Sequence, residues 1–124
     1  MRPRTLIPLA CLALAACAGP GAPPHGAVGA AQKDFAAPMS RVRIAAVSAL
    51  GSRSMRIVAL GSVADGETIR AQGPGGSAEL RLERKGHDAT RMIATVNGGA
   101  KPADRAAADA LLADTARFLE SAAR

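Results

Sequence analysis

The segment Glu79-Leu80-Arg81-Leu82-Glu83-Arg84 alternates polar and apolar side chains, and this period of two is the clearest structural signal in the chain. In a β-strand successive side chains point to opposite faces, so the two leucines share one face and Glu79, Arg81 and Glu83 share the other. A strand with one buried and one solvated face is typical of an antiparallel sheet that is covered on one side. The segment therefore predicts such a sheet.

Four more segments are expected to be strands of the same sheet. Each is rich in aliphatic or β-branched residues and is bounded by Gly, Ser, Asn or Asp clusters, which favour turns. The turns are short, which leaves no room for crossover helices and favours an antiparallel meander. The predicted strands are 41–47, 55–60, 67–72 and 90–96 in addition to 79–84, with turns at 51–54, 65–66, 73–76 and 85–88.

The last part of the chain changes to a helical period. Pro102 suits the first turn of a helix, and Asp104 and Arg124 suit its positive and negative dipole ends. Apolar or small residues recur every three or four positions and form a face that needs a cover. They are Ala107, Ala108, Leu111, Leu112, Thr115, Phe118, Leu119 and Ala122. The sequence therefore predicts an α+β fold, a small antiparallel meander of about five strands covered by one C-terminal amphipathic helix.

Composition limits both the core and the function. The 124 residues include two Phe, no Trp and no Tyr, so the core is expected to be aliphatic and rich in alanine. The formal net charge is +6. This charge does not indicate nucleic-acid binding, because single-strand binders also need aromatic side chains on which bases stack. We therefore expect no nucleic-acid partner.

The N-terminus has the organisation of an export signal. Arg2 and Arg4 supply positive charge, and residues 5–13 form an apolar run shorter than the ~20 residues of a membrane-spanning helix. The run leads into Leu14-Ala15-Ala16-Cys17, which resembles the lipobox of bacterial lipoprotein precursors at all four positions. Cys11 does not fit the pattern, because the residues before it do not begin with the required aliphatic side chain.

The resemblance implies a lipid anchor on one residue, Cys17. In that family a signal peptidase cleaves before the cysteine, the thiol carries a diacylglyceryl thioether, and the new amine often receives a further acyl chain such as palmitate. Ala18 stands where an aspartate would retain enterobacterial relatives at the inner membrane. The implied location is the cell envelope, lipid-anchored at the outer membrane and facing the periplasm.

Two other interpretations of the N-terminus stay open. An ordinary secretory signal cut after an Ala-X-Ala site would make Cys17 incidental. Alternatively, the apolar run could be a buried helix of a soluble protein. Both leave the prediction for the C-terminal part of the chain unchanged.

Between the signal and the first predicted strand, Gly, Pro and Ala dominate without periodicity. Such a composition buries too little surface to offset its ordering entropy. The expected organisation is a signal peptide at 1–16, a lipidated cysteine and flexible tether at 17–38, and a small α+β domain at 39–124. Loss of 1–16 leaves 14 Lys and Arg against 10 Asp and Glu, a net charge of +4.

No set of residues indicates catalysis. His87 is the one histidine in the predicted domain, and with Asp88 it falls in an expected turn. A zinc site needs three or four suitable ligands, and the serines lie outside any Gly-x-Ser-x-Gly motif. We therefore expect no enzyme, cofactor or metal site, and a hydrolase centred on His87 is the weakest alternative.

Arginines recur along the predicted strands. Arg81, Arg84 and Arg91 are the candidate contacts for an anionic envelope polymer if they share a solvated face, although the interspersed Glu79 and Glu83 favour an ordinary solvated face. The leading hypothesis is a non-enzymatic accessory or binding module that contacts an envelope protein or an anionic polymer. The alternative is a structural or assembly role, in which the helix or a sheet edge pairs with a partner chain or with a second copy in a homo-oligomer.

Overall fold

A computed structural model describes residues 29–123, which form an antiparallel sheet of five strands with two helices on one face. The sheet has the order β1-β5-β4-β3-β2, so β1 and β2 are its edges and β4 is its centre. The elements are β1 (Ala31–Phe35), α1 (Met39–Ser52), β2 (Arg56–Val63), β3 (Gly66–Gly73), β4 (Gly76–Gly86), β5 (Ala89–Val96), a single 3₁₀ turn (Asn97–Gly99) and α2 (Pro102–Ala122). The predicted α+β meander and C-terminal helix are confirmed.

The central strand β4 shows the alternation seen in its sequence. Leu80 and Leu82 are completely buried beneath the helices, while Glu79, Arg81 and Glu83 lie on the opposite face. Register places Leu80 beside Ile69 of β3, and Leu82 beside Met92 of β5. These side chains join the apolar faces of both helices in one core.

The strand predicted at 41–47 is wrong, because these residues belong to helix α1. The alternation of Arg41, Val42, Arg43 and Ile44 is too short to outweigh a longer helical pattern. Over the whole of Met39–Ser52 the buried positions recur at helical spacing, and alanine is the strongest helix former. The buried residues are Met39, Val42, Ala45, Ala46, Ala49 and Leu50. The domain therefore has two helices instead of one.

The folded part also begins before residue 39, the predicted boundary. Residues 31–35, expected to belong to the tether, form β1 and pair with β5. Ala31 and Phe35 are buried on the helix side, and the three residues between them are exposed. The surrounding bias toward Ala, Gly and Pro hides this short pattern in the sequence. Residues 17–28 of the expected tether lie outside the described residues.

Asn97 links the turn between β3 and β4 to the beginning of α2. Its Oδ1 accepts a hydrogen bond from the backbone N–H of Ser77 at 2.8 Å, and its Nδ2 donates to the carbonyl of Gly75 and to Oδ1 of Asp104 at 3.4 Å each. Asp104 also accepts from the backbone N–H of Lys101 at 3.1 Å, which satisfies a donor that the helix leaves free. One side chain therefore fixes the end of the sheet against the helix layer.

Gly76 is expected to be intolerant of any side chain. Its φ is +131°, and a Cβ there would overlap the side-chain amide of Asn97. We expect Gly76→Ala to lower the free energy of unfolding by about 2 kcal/mol or more, measured by urea denaturation. The neighbouring Gly75→Ala is the control, since a Cβ at Gly75 would meet no atom within 4 Å. Equal effects of the two substitutions would contradict the arrangement of Asn97.

Asp114 of α2 is a largely buried acid that joins the two helices. Its side chain is 9 % exposed, and its Oδ2 accepts a hydrogen bond of 2.7 Å from Nε of Arg53, which follows α1. Its Oδ1 accepts from Arg117, one turn further along α2. Burial raises the pKa of Asp114, but the hydrogen bonds from Arg53 and Arg117 outweigh burial and hold the pKa below its ordinary value of 3.8.

This lowered pKa predicts an acid-sensitive contribution to stability. The ion pair stabilises the fold above pH 3.8, and the contribution is lost as the pH falls through the lower folded-state pKa. At pH 7, Asp114→Asn should lower the free energy of unfolding by about 1–2 kcal/mol, since a charge-assisted hydrogen bond is lost at a site where Arg53 is partly solvated. The loss should shrink toward pH 3.

Asp109→Asn is the matched control for this measurement. Asp109 pairs with Arg105 on the exposed face of α2, with Nε and Oδ2 3.4 Å apart and both side chains more than half exposed. Its substitution should change the free energy of unfolding by less than about 0.5 kcal/mol. A pH-independent effect of Asp114→Asn would contradict the role of its charge.

Candidate functional site

The face of the sheet that points away from the helices carries charged side chains of alternating sign. Arg91 on β5 lies between Asp34 of β1 and Glu83 of β4. Two rows further along the same face, Arg70 of β3 is directly opposite Glu79 of β4. Cross-strand neighbours on one face interact, and opposite charges there are mildly stabilising. The face is therefore a mixed-charge surface.

Arg91 is engaged by an acid on the edge strand. Its Nε and Nη2 donate to the two carboxylate oxygens of Asp34 at 2.8 and 3.3 Å, a two-point contact that joins β5 to β1. The hydrogen bond from Arg91 holds the pKa of Asp34 below its usual value, and the same bond raises the pKa of Arg91. The charge of Arg91 is thus paired with that of Asp34 within the sheet.

Arg81 and Arg84 lie on opposite faces of the sheet. Arg81 lies on the outer face, with Nε 3.1 Å from Oε2 of Glu83. The N–H is not aligned with that oxygen, and among the described residues the buried Nε has no hydrogen-bond partner. Arg84 is opposite Thr90, whose buried hydroxyl donates to a backbone carbonyl on the helix side, so Arg84 belongs to the other face.

The structure therefore brings Arg81 and Arg91 together but separates Arg84 from them. Lys85 adds a further cation on the outer face and lies 3.5 Å from Glu83. Each of these cations except Arg84 has a carboxylate within 4 Å among the described residues. A polyanion would have to compete with these acids, so the surface is a weaker anion site than the sequence pattern indicates.

The helix layer contains a groove between α1 and the end of α2. It has a volume of 330 Å³ and is lined mainly by apolar side chains, among them Ile44, Phe118 and Leu119. Ile44 is 64 % exposed and points away from the core, while Arg41 stands at the border of the groove. An exposed aliphatic side chain beside a partly buried aromatic is the kind of surface that protein interfaces cover.

Sequence reasoning missed this groove because it placed Ile44 on a strand. On a helix, Ile44 and Val47 lie one turn apart on the side opposite the buried stripe, and both are exposed. The helical pattern of α1 would have indicated the groove. The inner face of the helix is already apolar, so the two aliphatic residues on its outer face are not needed for the core. Phe118 and Leu119, which the sequence places on the apolar face of the terminal helix, are partly buried.

His87 and Asp88 form the exposed turn between β4 and β5, as predicted. His87 does not line the groove between α1 and α2. The same part of the chain contains no group of three or more His, Cys, Asp and Glu side chains arranged for a metal ion. None of its helices is long and apolar enough to cross a membrane.

The predicted lipidation site Cys17 lies outside the described residues, as do Cys11 and His25. No protein-family model matches this sequence, and no curated protein is significantly similar to it. The case for a function therefore depends on the N-terminal motif and on the surfaces of the domain.

Proposed function

We propose that this chain is a membrane-anchored envelope lipoprotein, attached through a lipid on Cys17, whose α+β domain is a non-enzymatic binding module for another envelope protein. The four-residue lipobox and the basic, apolar segment before it support the anchor. The exposed apolar groove between the two helices is the observation that carries the binding role.

The chemistry of the groove favours a protein ligand. Its floor is aliphatic and aromatic, and Ile44 protrudes from the middle of α1 as an anchor residue. Grooves between two helices accept the apolar face of an amphipathic helix, whose anchors recur at helical spacing. Arg41 at the border would pair with an acid on that helix. The proposed partner is therefore an acidic amphipathic helix of an envelope protein.

An anionic polymer is a weaker candidate than a protein. Arg70, Arg81 and Arg91 on the outer face lie 3.6, 3.1 and 2.8 Å from a carboxylate oxygen. These acids lower the positive potential that would attract phosphates or carboxylates of a polymer. The groove, by contrast, is apolar and open.

The anchor is tested by Cys17→Ser in a bacterial host, with labelled palmitate and fractionation of membranes. The native chain should incorporate label and stay in the membrane fraction after a carbonate wash, because two or three acyl chains anchor stably. The variant should lose the label and the membrane association. Cys11→Ser is the control and should behave as the native chain does. Label that persists in Cys17→Ser would refute the anchor.

The binding surface is tested by a photo-crosslinking amino acid placed at Ile44 in the native envelope, followed by mass spectrometry. The expected product is a crosslink to one protein, through a helix with acidic and apolar residues. The same amino acid at Gln72, which is exposed on the outer face of the sheet, is the control and should not give that product. Arg41→Glu should reduce the crosslink by charge repulsion.

The polymer alternative predicts a different result in the same cells. The unlipidated chain would lose its envelope association in a variant carrying Arg81→Glu and Arg91→Glu, and Ile44 would give no protein crosslink. That combination would overturn the proposed protein partner. A crosslink from Ile44 that survives both substitutions supports it.

A further inference from the structure

The two edges of the sheet differ in how well they are protected against pairing. β1 has five residues, and its three central ones, Gln32, Lys33 and Asp34, are polar and exposed. Short, charged edges resist the addition of another strand. β2 has eight residues, of which only Arg56, at its beginning, is charged. The β2 edge thus lacks the short length and the central charged residues that protect the β1 edge.

The β2 edge also exposes aliphatic side chains. Leu60 is 70 % exposed although it faces the helix side, where its cross-strand neighbour Ile69 is completely buried. Val58 is 47 % exposed at a bulge between Ile57 and Ala59. Bulges can disturb further pairing, but this one lies near the beginning of β2 and leaves Ala59 onward in regular register.

The backbone of β2 offers unused hydrogen-bonding groups. Within residues 29–123 β3 is the one strand paired with β2. In an antiparallel sheet alternate residues of an edge strand direct their N–H and C=O groups away from the neighbour. These groups can accept one more antiparallel strand.

Charge indicates which strand would fit. Arg56 stands at one end of β2, and Asp65 stands in the turn just after the other end, with both residues exposed. Two copies of β2 that run antiparallel, with Leu60 opposite Leu60 of the partner, place Arg56 opposite residue 64 of the other copy, one position before the partner's Asp65. The twofold axis creates this contact twice. The strand is therefore complementary to itself.

We propose that β2 is a dimerisation edge, which pairs antiparallel with β2 of a second copy across a twofold axis at Leu60. The sheet then continues from one protomer into the other, and each Leu60 is covered by the other. The groove at Ile44 lies between α1 and α2 and is a separate surface, and the proposal does not depend on lipidation of Cys17. Failure of one proposal therefore leaves the other unaffected.

Disulfide formation tests the register of this pairing. The full chain is prepared in detergent with Cys11→Ser and Cys17→Ser, and single cysteines are introduced by Leu60→Cys or Ser62→Cys. Residues directly opposite in an antiparallel pair have Cα atoms ~4.5–5.5 Å apart, within the span of a disulfide. Two copies of residue 62 would be displaced by four residues, ~13 Å along the strand, which is too far.

The expected result is a disulfide-linked dimer of Leu60→Cys on mild oxidation. Ser62→Cys should stay monomeric, as should Gln32→Cys, the control on the β1 edge. An absence of the Leu60→Cys dimer would overturn the proposal. Dimers formed equally by all three variants would overturn it too, since they would report random collision.

Sedimentation equilibrium of the full chain in density-matched detergent tests the dimer without cysteines at residue 60. The chain with both native cysteines replaced should reach a dimer as concentration rises. Leu60→Lys and Arg56→Glu should each raise the dissociation constant by at least about tenfold, through loss of apolar cover and through repulsion by Asp65. Lys33→Glu, on the β1 edge, should leave the dissociation constant unchanged.

Circular dichroism is needed to show that the variants are folded. Leu60 and Arg56 are exposed, so their thermal transitions should match that of the parent chain. A parent chain that stays monomeric at every concentration would overturn the proposal. A dimer that Leu60→Lys does not weaken would place the interface elsewhere and would overturn it as well.

Discussion

The structure depends on the burial of one apolar row at the centre of the sheet. Leu80 and Leu82 of β4 are fully covered, and the same cluster contains buried residues of α1, α2, β1, β3 and β5. With Phe35 as the one deeply buried aromatic residue, aliphatic packing and alanine contacts must supply the stability of the core. Close approach of alanine-rich helices compensates for small side chains, and polar links such as Asn97 and Asp114 fix where each helix lies.

The sequence predicts the parts of this fold in which a local pattern and the tertiary environment agree. The alternation in β4, the turn at His87 and the periodicity of α2 belong to that class, because the elements packed around them favour the same structure as the local pattern does. It fails at residues 41–47, where a brief alternation competes with a longer helical stripe, and at β1, whose five residues become a strand only because β5 offers a free edge. Non-local pairing of this kind leaves almost no trace in local sequence.

The same distinction applies to the surface. Arg81, Arg84 and Arg91 are visible in sequence as cations, but the acids beside them depend on strand register. A two-residue spacing keeps side chains together, whereas the three residues from Arg81 to Arg84 put them on opposite faces. In the structure Asp34 pairs with Arg91, and Glu83 lies beside Arg81. The most distinctive features of the surface are therefore the exposed aliphatic side chains of Ile44 and Leu60.

The order of Cys17 and these surfaces along the chain is consistent with both proposals. If Cys17 holds the lipid, β1 is the first strand after the anchor. Ala31 lies 14 positions after Cys17, and a chain of that length reaches at most ~50 Å. β1 and β2 are opposite edges of a five-stranded sheet, roughly 19 Å apart at the usual strand spacing. The edge strand that follows Cys17 in the chain is thus the protected one, and the unprotected β2 edge lies across the sheet from it. In a dimer formed through β2, the two β1 strands would be the outer edges of one continuous sheet, so the strand that follows Cys17 in the chain would lie away from the interface in each protomer. Two anchors on one rigid body hold it to a membrane more firmly than either does alone, because release of one leaves the other in place.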